Sequence, residues 1–189
     1  MKIGIVIGSV RQGSIGNSVA EVLLDAAEKY AQDKTDLSFE IIDLKDYPLP
    51  VFYKQRYNGD EPEYETKMAL GAKLKEMDSY IFVIPEYNHS ITAGLKNVLE
   101  YYYTEFNNKA LGIVSYGKDL GVRSAQMLRE IAAELRMADV RTHVTIDLFA
   151  EFDENRKFTP REFNIQRFDN LFDDVVEWGQ ALEPIRNKK

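Results

Sequence analysis

Ile3-Gly4-Ile5-Val6-Ile7 is a continuous apolar run near the start of the chain, and it leads directly into the polar stretch Gly8-Ser9-Val10-Arg11-Gln12-Gly13-Ser14-Ile15-Gly16-Asn17-Ser18. A continuous apolar run, unlike an alternating one, is typical of a strand that is buried on both faces of a sheet. Apolar residues then recur at helical spacing between 19 and 30. Ser18 followed by Glu21 predicts a capping box at the start of this helix. The opening therefore predicts a strand, a loop and a helix.

The same alternation of strands and helices continues to the end of the chain. Further strands are predicted at residues 38–44, 80–84, 110–115 and 141–147, and further helices at 67–76, 95–102, 125–135 and 165–182. Strands separated by helices imply right-handed crossovers, and therefore a parallel sheet with helices on both faces. Ligands bind such sheets outside the carboxyl ends of the strands, where the strand order reverses. We therefore expect the site in the loops after the first, third and fourth strands.

The composition is that of an ordinary soluble protein and excludes several kinds of site. The 189 residues include 44% hydrophobic residues and carry a net charge of −7. This acidic balance argues against a nucleic-acid partner, and the apolar runs are too short to cross a membrane. The absence of Cys excludes disulfides, thiolate zinc sites and Cys nucleophiles. We expect a cytoplasmic protein with a single domain over residues 1–185, a short basic tail at 186–189 and no metal site.

The segment 45–65 has no convincing helix or strand, although connections of this length are uncommon in compact domains. It is too aromatic for a disordered linker, since it contains Tyr47, Phe52, Tyr53 and Tyr57 among its prolines. Two interpretations stay open: an ordered excursion that packs on the body or on a partner subunit, and a loop that merely covers its own sheet.

The loop after the first strand has the features of a phosphate site. A buried strand that ends at a helix N-terminus leaves backbone N–H groups unpaired and places the positive end of the helix dipole there. Ser9, Ser14 and Ser18 add hydroxyl groups, and Arg11 adds a charged fork. A triphosphate-binding loop would require Lys where Ser14 stands, and the dinucleotide fingerprint is absent. These residues predict a site for a terminal monophosphate; the alternative is a Gly-rich loop used only for a tight turn.

The loop after the third strand is Pro85-Glu86-Tyr87-Asn88-His89-Ser90. Tyr87 is a flat ring at a strand's carboxyl end, and Asn88 can donate and accept hydrogen bonds at once. Together they suit a planar heterocycle with an amide edge. The alternative is that Tyr87 packs and Asn88 caps the following helix.

These two loops resemble those of the NAD(P)H-dependent FMN reductase family, which includes quinone, azo-dye and chromate reductases. The resemblance is carried by two motifs in the expected order, Gly8-Ser9-x-Arg11-x-x-Ser14 with Val19-Ala20, and Pro85-Glu86-Tyr87-Asn88-x-Ser90 with Leu95-Lys96-Asn97. It extends to residues 42–44, 49–50 and 115–117, and so covers about residues 1–140. Each motif alone would be modest evidence, but both together in the right loops are specific.

The resemblance implies a flavodoxin-like three-layer α/β sandwich with a five-stranded parallel sheet in the order 2-1-3-4-5. It implies that FMN is bound, that NADPH or NADH is the co-substrate, and that the protein is a homodimer or homotetramer. The FMN phosphate would be held by Ser9, Arg11, Ser14, Ile15, Gly16, Asn17 and Ser18. The isoalloxazine would lie along Pro85, Glu86, Tyr87 and Asn88, with its pyrimidine side against Ser115, Tyr116 and Gly117.

One departure from the family concerns the region after the fourth strand. Family members often have two adjacent Gly residues there, whereas this chain has Leu120-Gly121-Val122-Arg123. This change bears on the nicotinamide preference and on access to the flavin face more than on FMN binding.

The chemistry expected from these loops belongs to the cofactor, because neither loop carries an obvious acid, base or nucleophile pair. The resemblance implies that hydride passes from NAD(P)H to N5 of bound FMN, and that two electrons then pass to a quinone-like, azo or free-flavin acceptor. One alternative is an FMN-binding electron carrier or redox sensor with little NAD(P)H activity. Another is an interaction protein that has lost its flavin.

Two other patterns carry hypotheses of their own. Ser115 with Asp119 or Asp139 and His143 has the chain order of a serine hydrolase, although His143 is predicted on a buried strand. The run Tyr101-Tyr102-Tyr103 with Phe106 is too aromatic to be buried on every face of one helix, which predicts a subunit interface. The alternative for this run is that the C-terminal helix covers it.

Overall fold

The computed structural model describes residues 1–54 and 59–188. Within these residues, five parallel strands form one sheet in the order β2-β1-β3-β4-β5, which is the order that the family resemblance implies. The strands are β1 (Lys2–Ile7), β2 (Ser38–Asp43), β3 (Ser79–Pro85), β4 (Ala110–Gly117) and β5 (Ala138–Asp147). The side chains of β3 and β4 are buried along their whole length, as expected of strands covered on both faces.

Helices cover both faces of the sheet. They are α1 (Gly16–Ala31), α2 (Tyr64–Glu76), α3 (Ala93–Tyr101), α4 (Val122–Glu134) and α5 (Glu162–Arg186). Helices α1 and α5 share one apolar core with the sheet, and α2, α3 and α4 share the other. Helix α5 packs so closely on β4 that a Cβ at Gly112 would lie 2.8 Å from Val175 Cγ2. Glycine at this position therefore lets the helix approach the sheet.

Helix α1 begins three residues earlier than its predicted capping box allows. It starts at Gly16, so Ser18 lies inside its first turn and is not the N-cap. The Ser18 hydroxyl instead accepts a hydrogen bond of 2.8 Å from the backbone N–H of Phe158, in the β5–α5 loop. The predicted capping box is therefore wrong, because a long-range contact takes the hydroxyl.

Helix α5 is longer than its apolar pattern predicts and includes Arg186, the first residue of the predicted tail. The guanidinium of Arg186 forms an ion pair with Asp78 at 2.9 Å. It also donates to the backbone carbonyl of Asn108 at 3.4 Å. These contacts hold the last turn of the helix against the amino-terminal edge of the sheet, so the basic tail begins after Arg186.

The aromatic run at 101–106 packs mostly inside the molecule, so the exposed aromatic surface from which an interface was predicted is not present. Helix α3 ends at Tyr101 and Tyr102 is extended, so the tyrosines do not share one helix. Tyr102 lies against Gly71 of α2 and donates to the carbonyl of Lys67 at 2.8 Å. Phe106 is fully buried, and Tyr103 alone in this described run is largely exposed, at 47%. The covering helix is α2 and not the C-terminal helix, so the alternative also fails.

The first part of the segment 45–65 packs on its own subunit. After a short 3-10 helix at Leu44–Asp46, Asn97 of α3 accepts from the N–H of Phe52 and donates to the carbonyl of Pro50, both at 2.8 Å. The ring of Phe52 meets Tyr101 edge-on at 5.1 Å between centroids. Tyr57, also named in this segment, lies outside the described residues. None of the helices within 1–54 and 59–188 combines the length and apolarity needed to cross a membrane.

Candidate functional site

A cleft of about 440 Å³ opens at the carboxyl edge of the sheet, where the loops after β1, β3, β4 and β5 meet. Three of these loops, those after β1, β3 and β4, are the ones in which the sequence predicts the site. The loop after β5 was not predicted. The residues that line the cleft are Arg11, Ser14, Ile15, Pro85, Glu86, Tyr87, Tyr116, Gly117, Lys118, Leu148, Phe152, Asp153 and Arg156. Most of the predicted site residues are therefore brought together. The others named in the sequence analysis, which do not line the cleft, are Ser9, Gly16, Asn17, Ser18, Asn88 and Ser115.

The β1–α1 loop presents the start of helix α1 without a side-chain cap. Ile15 is the N-cap residue, and it offers no side-chain acceptor to the first turn. Ser14 Oγ accepts from the N–H of Gly16 at 3.2 Å, and Gly13 reaches the left-handed region, at φ 69°, to make the turn. An uncapped helix start carries unpaired N–H groups and the positive end of the helix dipole. This geometry suits an anion.

Ser9 provides an independent sign that the loop binds a ligand. It is fully buried, yet its hydroxyl has no hydrogen-bond partner within the part of the chain that the structure describes. A buried polar group without a partner costs about 1–3 kcal/mol, so such groups in native proteins usually meet a ligand or an ordered water. With Arg11 and Ser14 in the same loop, these residues fit a phosphate group.

The side chain of Asn17, in contrast, is already committed. It donates to the carboxylate of Asp43 and accepts from Lys45 Nζ, both at 2.8 Å. Lys45 also pairs with Asp43 at 3.1 Å. This polar cluster ties the first turn of α1 to the end of β2, so Asn17 can offer only its backbone N–H to an anion.

Two hydrogen bonds connect the β1–α1 loop to aromatic side chains of the neighbouring loops. Arg11 Nε donates to the Tyr87 hydroxyl at 2.8 Å, and Ser14 Oγ lies 3.4 Å from the Tyr116 hydroxyl. Burial raises the pKa of Tyr116 to about 12, so this phenol stays protonated at neutral pH. An anion site and two aromatic rings therefore share one cleft.

The β3–α3 loop forms a tight two-residue hairpin. Tyr87 and Ser90 exchange two backbone hydrogen bonds of 3.0 Å, and the residues between them, Asn88 and His89, have φ of 50° and 64°. Asn tolerates this left-handed conformation better than most residues. The hairpin leaves Tyr87 40% exposed at the cleft and Asn88 exposed at the tip. Asn88 does not cap α3; Thr92 does, accepting from the N–H of Leu95 at 3.0 Å.

Glu86 holds two loops of the cleft together. Its carboxylate accepts from the backbone N–H of Arg123 at 2.9 Å and from the guanidinium of Arg123 at 3.0 Å. Its own N–H donates to the carbonyl of Tyr116 at 3.1 Å. The carboxylate therefore caps the start of α4.

Ser115 is not available as a nucleophile. Its hydroxyl donates to the carbonyl of Leu120 at 2.7 Å and lies 2.8 Å from His143 Nε2. Because the hydroxyl hydrogen points to Leu120, the imidazole N–H donates to Ser115 and cannot remove its proton. Burial lowers the pKa of His143 to about 4. The two candidate acids are already ion-paired, Asp119 with Arg123 and Asp139 with Arg129. The hydrolase alternative is therefore wrong.

The fourth wall of the cleft is the β5–α5 loop, which the sequence analysis missed. Its anchor is Glu151, whose buried carboxylate accepts from the N–H groups of Asp147 and Arg161 at 2.9 and 3.1 Å. Asn164 Nδ2 adds a third bond of 2.7 Å. Burial by itself raises the pKa of Glu151, but these hydrogen bonds outweigh it and lower the pKa. The signal in the sequence was a polar, turn-forming run at 153–157, which follows the last strand after five residues.

Known proteins are similar to this chain in both sequence and fold. The model of the family described as NADPH-dependent FMN reductase matches residues 1–151. An NAD(P)H-dependent FMN reductase from Nectria is 32% identical over 158 residues, which cover 80% of this chain and 78% of that protein. Another from Schizosaccharomyces pombe is 33% identical over 195 residues, which cover 98% and 85%. An NAD(P)H:quinone oxidoreductase from Solanum tuberosum is 34% identical over 141 residues, which cover 71% and 69%.

Solved structures agree on the fold. The flavoenzyme NAD(P)H:(acceptor) oxidoreductase FerB from Paracoccus denitrificans superimposes with a TM-score of 0.70 at 20% identity, over 95% of this chain and 97% of that one. Flavodoxin 1 from Bacillus cereus superimposes with a TM-score of 0.57 at 14% identity, over 94% and 98%. At these identities the likeness establishes a flavodoxin-like fold and no more.

The motifs, the order of the sheet and the relatives agree with one another. The family model extends through the loops after β1, β3 and β4, which hold the two motifs and most of the cleft. The chain therefore belongs to the NADPH-dependent FMN reductase family, and it is an oxidoreductase that works with FMN and a reduced nicotinamide nucleotide.

Proposed function

We propose that this chain binds FMN in the cleft and uses it to carry two electrons from NAD(P)H to a small-molecule acceptor of the quinone, azo or free-flavin class. The observation that carries the proposal is the hydrogen bond from Arg11 to the Tyr87 hydroxyl together with the hydrogen bond between the Ser14 and Tyr116 hydroxyls. They join an anion-binding helix start to aromatic side chains, which is the combination that a flavin with a terminal phosphate requires.

The β1–α1 loop has the task of binding the phosphate. Arg11 supplies a charged donor, and Ser9 and Ser14 supply hydroxyl groups. Residues 15, 17 and 18 supply backbone N–H groups of the helix start, since that of Gly16 already donates to Ser14 Oγ. Charge-assisted hydrogen bonds are about twice as strong as neutral ones, so Arg11 is expected to contribute most. Of the predicted residues here, Asn17 and Ser18 act through the backbone, since their side chains bond Asp43 and Phe158.

The β3–α3 and β4–α4 loops have the task of orienting the ring system. The ring of Tyr87 offers a flat, half-exposed surface, and Pro85 and Glu86 fix where it stands. Backbone N–H groups of these two loops would serve the polar edge of the ring, apart from that of Tyr87, which already donates to the carbonyl of Ser90. Ser115 acts here through its backbone, since its hydroxyl bonds Leu120. Bound FMN would supply the redox chemistry, and these residues would bind it, orient it and exclude water.

The acceptor class is supported by the relatives. The potato relative is named as an NAD(P)H:quinone oxidoreductase, and a Burkholderia relative is named as a 2-hydroxy-1,4-benzoquinone reductase. We further propose that residues 1–185 act as one FMN-binding domain, in a cytoplasmic homodimer or homotetramer. Light scattering of the purified protein measures the assembly, and cell fractionation measures the location.

The deciding experiment is an absorbance spectrum of the purified, FMN-loaded protein before and after anaerobic addition of NADPH or NADH. We expect a yellow protein whose flavin bands bleach, followed by reoxidation when a neutral quinone is added. A yellow protein that stays oxidised with both nucleotides supports an electron carrier or sensor instead. A colourless protein that cannot be reconstituted with FMN contradicts the assignment of the phosphate loop.

A further inference from the structure

The β5–α5 loop forms a wall of the cleft that the family comparison leaves without a role. Residues 152–161 lie beyond the part of the chain that the family model matches. Phe152, Asp153 and Arg156 nevertheless line the same cleft as Arg11, Tyr87 and Tyr116. A charged side chain on this wall faces whatever enters beside the flavin.

The position of Arg156 is fixed by a tight turn. Its N–H donates to the carbonyl of Asp153 at 2.9 Å, and the N–H of Asp153 donates to the carbonyl of Lys157 at 3.0 Å. The carboxylate of Asp153 accepts from the N–H groups of Asn155 and Lys157, at 2.9 and 2.8 Å. Arg156 has a φ of 63°, a conformation that costs free energy in a residue other than Gly. The turn therefore fixes the backbone of Arg156 at the wall of the cleft.

The turn is also tied to the proposed phosphate loop. The N–H of Phe158 donates to Ser18 Oγ in the first turn of α1 at 2.8 Å. On the inner side, Glu151 binds the ends of the loop through Asp147 and Arg161. The ring of Phe158 packs on Phe152 at 5.5 Å between centroids. Arg156 is thus carried by a loop with fixed contacts at both ends.

The charge balance of the cleft favours a second anion. Its cations are Arg11, Lys118 and Arg156, and its acids are Glu86 and Asp153. Both carboxylates are in use, since Glu86 binds Arg123 and Asp153 binds the N–H groups of its own turn. Within residues 1–54 and 59–188, Arg156 forms no ion pair. The chain as a whole has a net charge of −7. An anionic ligand would explain why Arg156 lines the cleft without a carboxylate partner.

We propose that Arg156 binds a phosphate group of the nicotinamide dinucleotide and so determines which nucleotide the enzyme accepts. The inference rests on the proposed function. FMN carries one phosphate, for which the β1–α1 loop provides the donors, and simple quinones carry none. The dinucleotide carries a pyrophosphate, and NADPH carries a 2′-phosphate in addition. Arg is suited to this task because its planar fork matches two phosphate oxygens.

The test compares Arg156→Ala and Arg156→Lys with the matched control Lys157→Ala, which removes an adjacent exposed cation of the same loop. We expect Arg156→Ala to raise KM for the nucleotide about tenfold or more, as loss of a charge-assisted hydrogen bond does. Arg156→Lys keeps the charge without the fork and recovers part of the loss. The KM for a neutral quinone and the Kd for FMN are expected to stay at the values of the parent protein.

A second readout does not depend on turnover. Adenosine 2′,5′-bisphosphate and adenosine 5′-monophosphate are titrated into the FMN-loaded protein by calorimetry, with Arg156→Ala and Lys157→Ala in parallel. We expect weaker probe binding in Arg156→Ala and not in Lys157→Ala: of the bisphosphate alone if Arg156 binds the 2′-phosphate, and of both probes if it binds the pyrophosphate. If the flavin of the parent protein is not reduced by either nucleotide, the proposed function fails, and the titration still reports on Arg156 independently.

The outcomes separate the sources of the phosphate. A KM rise confined to NADPH assigns Arg156 to the 2′-phosphate, and an equal rise with NADH assigns it to the pyrophosphate; both support the proposal. A rise in the Kd for FMN with an unchanged nucleotide KM means that Arg156 serves the flavin phosphate, which overturns it. Unchanged KM and unchanged probe binding in Arg156→Ala also overturn it.

Discussion

Arg11 shows how a single side chain joins two parts of the site. Its guanidinium leaves the β1–α1 loop and donates to the Tyr87 hydroxyl in the β3–α3 loop at 2.8 Å. It therefore stands between the expected phosphate and the expected ring system. The residue type and spacing were visible in the sequence, but the contact with Tyr87 was not, because it spans two strands.

Arg11→Ala is expected to weaken FMN binding about 10- to 100-fold, because a charge-assisted hydrogen bond to a phosphate is lost. The Kd is measured by titrating FMN fluorescence against the apoprotein. Arg141→Ala, which removes an exposed arginine on β5, is the control and is expected to bind as the parent does. Full flavin occupancy in Arg11→Ala would contradict the phosphate assignment.

His143 is a single residue that makes the stability of the folded protein depend on pH. Burial lowers its pKa from an ordinary value of 6.5 to about 4. The unfolded state therefore binds the proton more readily between these two values, and the folded state loses stability as the pH falls from 6.5 towards 4. We expect a loss on the order of 2–3 kcal/mol from this residue over that window.

The variant His143→Gln isolates this effect, because its amide can still donate to Ser115 but does not titrate. Urea unfolding of both proteins is measured from pH 7 to pH 4.5. We expect the parent to lose stability relative to His143→Gln as the pH falls. Parallel curves for the two proteins would mean that the imidazole titrates at its ordinary pKa.

At the scale of the element, helix α4 ends in a left-handed turn in which an arginine stands where glycine is most common. The N–H of Arg136 donates to the carbonyl of Ala133 at 3.1 Å, and the N–H of Met137 donates to that of Ala132 at 2.9 Å. This pair of bonds is the Schellman arrangement, in which the left-handed position is most often Gly. Arg136 occupies it with a φ of 56°, and its side chain is exposed.

Arg136→Gly is expected to stabilise the protein by about 0.5–1 kcal/mol, after the extra entropy of glycine in the unfolded chain is deducted. For a chain of this size the Tm should rise by about 2–4 °C. Arg136→Ala is the control, since it removes the side chain and keeps the strained φ. Equal or lower Tm in the Gly variant would show that the arginine side chain stabilises this turn.

At the scale of the whole molecule, the site depends on loops that only the assembled sheet brings together. The cleft draws on four loops. The β1–α1 loop contributes a helix start without a cap from its N-cap side chain, and a buried hydroxyl that has no partner among the residues that the structure describes. A ligand that satisfies these groups binds the folded state and not the unfolded chain. Stability and occupancy are therefore linked.

Removal of FMN is accordingly expected to lower the Tm. With free FMN at 100 times its Kd, the ligand adds about 2.7 kcal/mol, which corresponds to about 5–10 °C for a chain of this length. Thermal unfolding is followed with and without added FMN. The same addition to Arg11→Ala should raise the Tm much less, and an equal rise in both proteins would place the flavin elsewhere.

Sequence reasoning succeeded for the features that depend on neighbouring residues. The buried strands at 3–7 and 80–84, the helical stripes and the loop motifs are local patterns, and the order of the sheet followed from the family resemblance. Reasoning from the sequence failed where one group chose between local and distant partners. Ser18 bonds Phe158 instead of capping its helix, and the hydroxyl of Ser115 bonds Leu120 and His143.

The sequence by itself determined the fold class, the family and three of the four loops that build the cleft, because apolar periodicity and short motifs are properties of contiguous residues. Only the tertiary structure decided which side chains remain free for a ligand. Asn17 is taken by Asp43 and Lys45, Tyr102 is buried against α2, and Arg156 is brought into the cleft on a loop of its own. The physical reason is that hydrogen-bond partners and burial are set by contacts between distant segments, which form when the sheet and its helices pack.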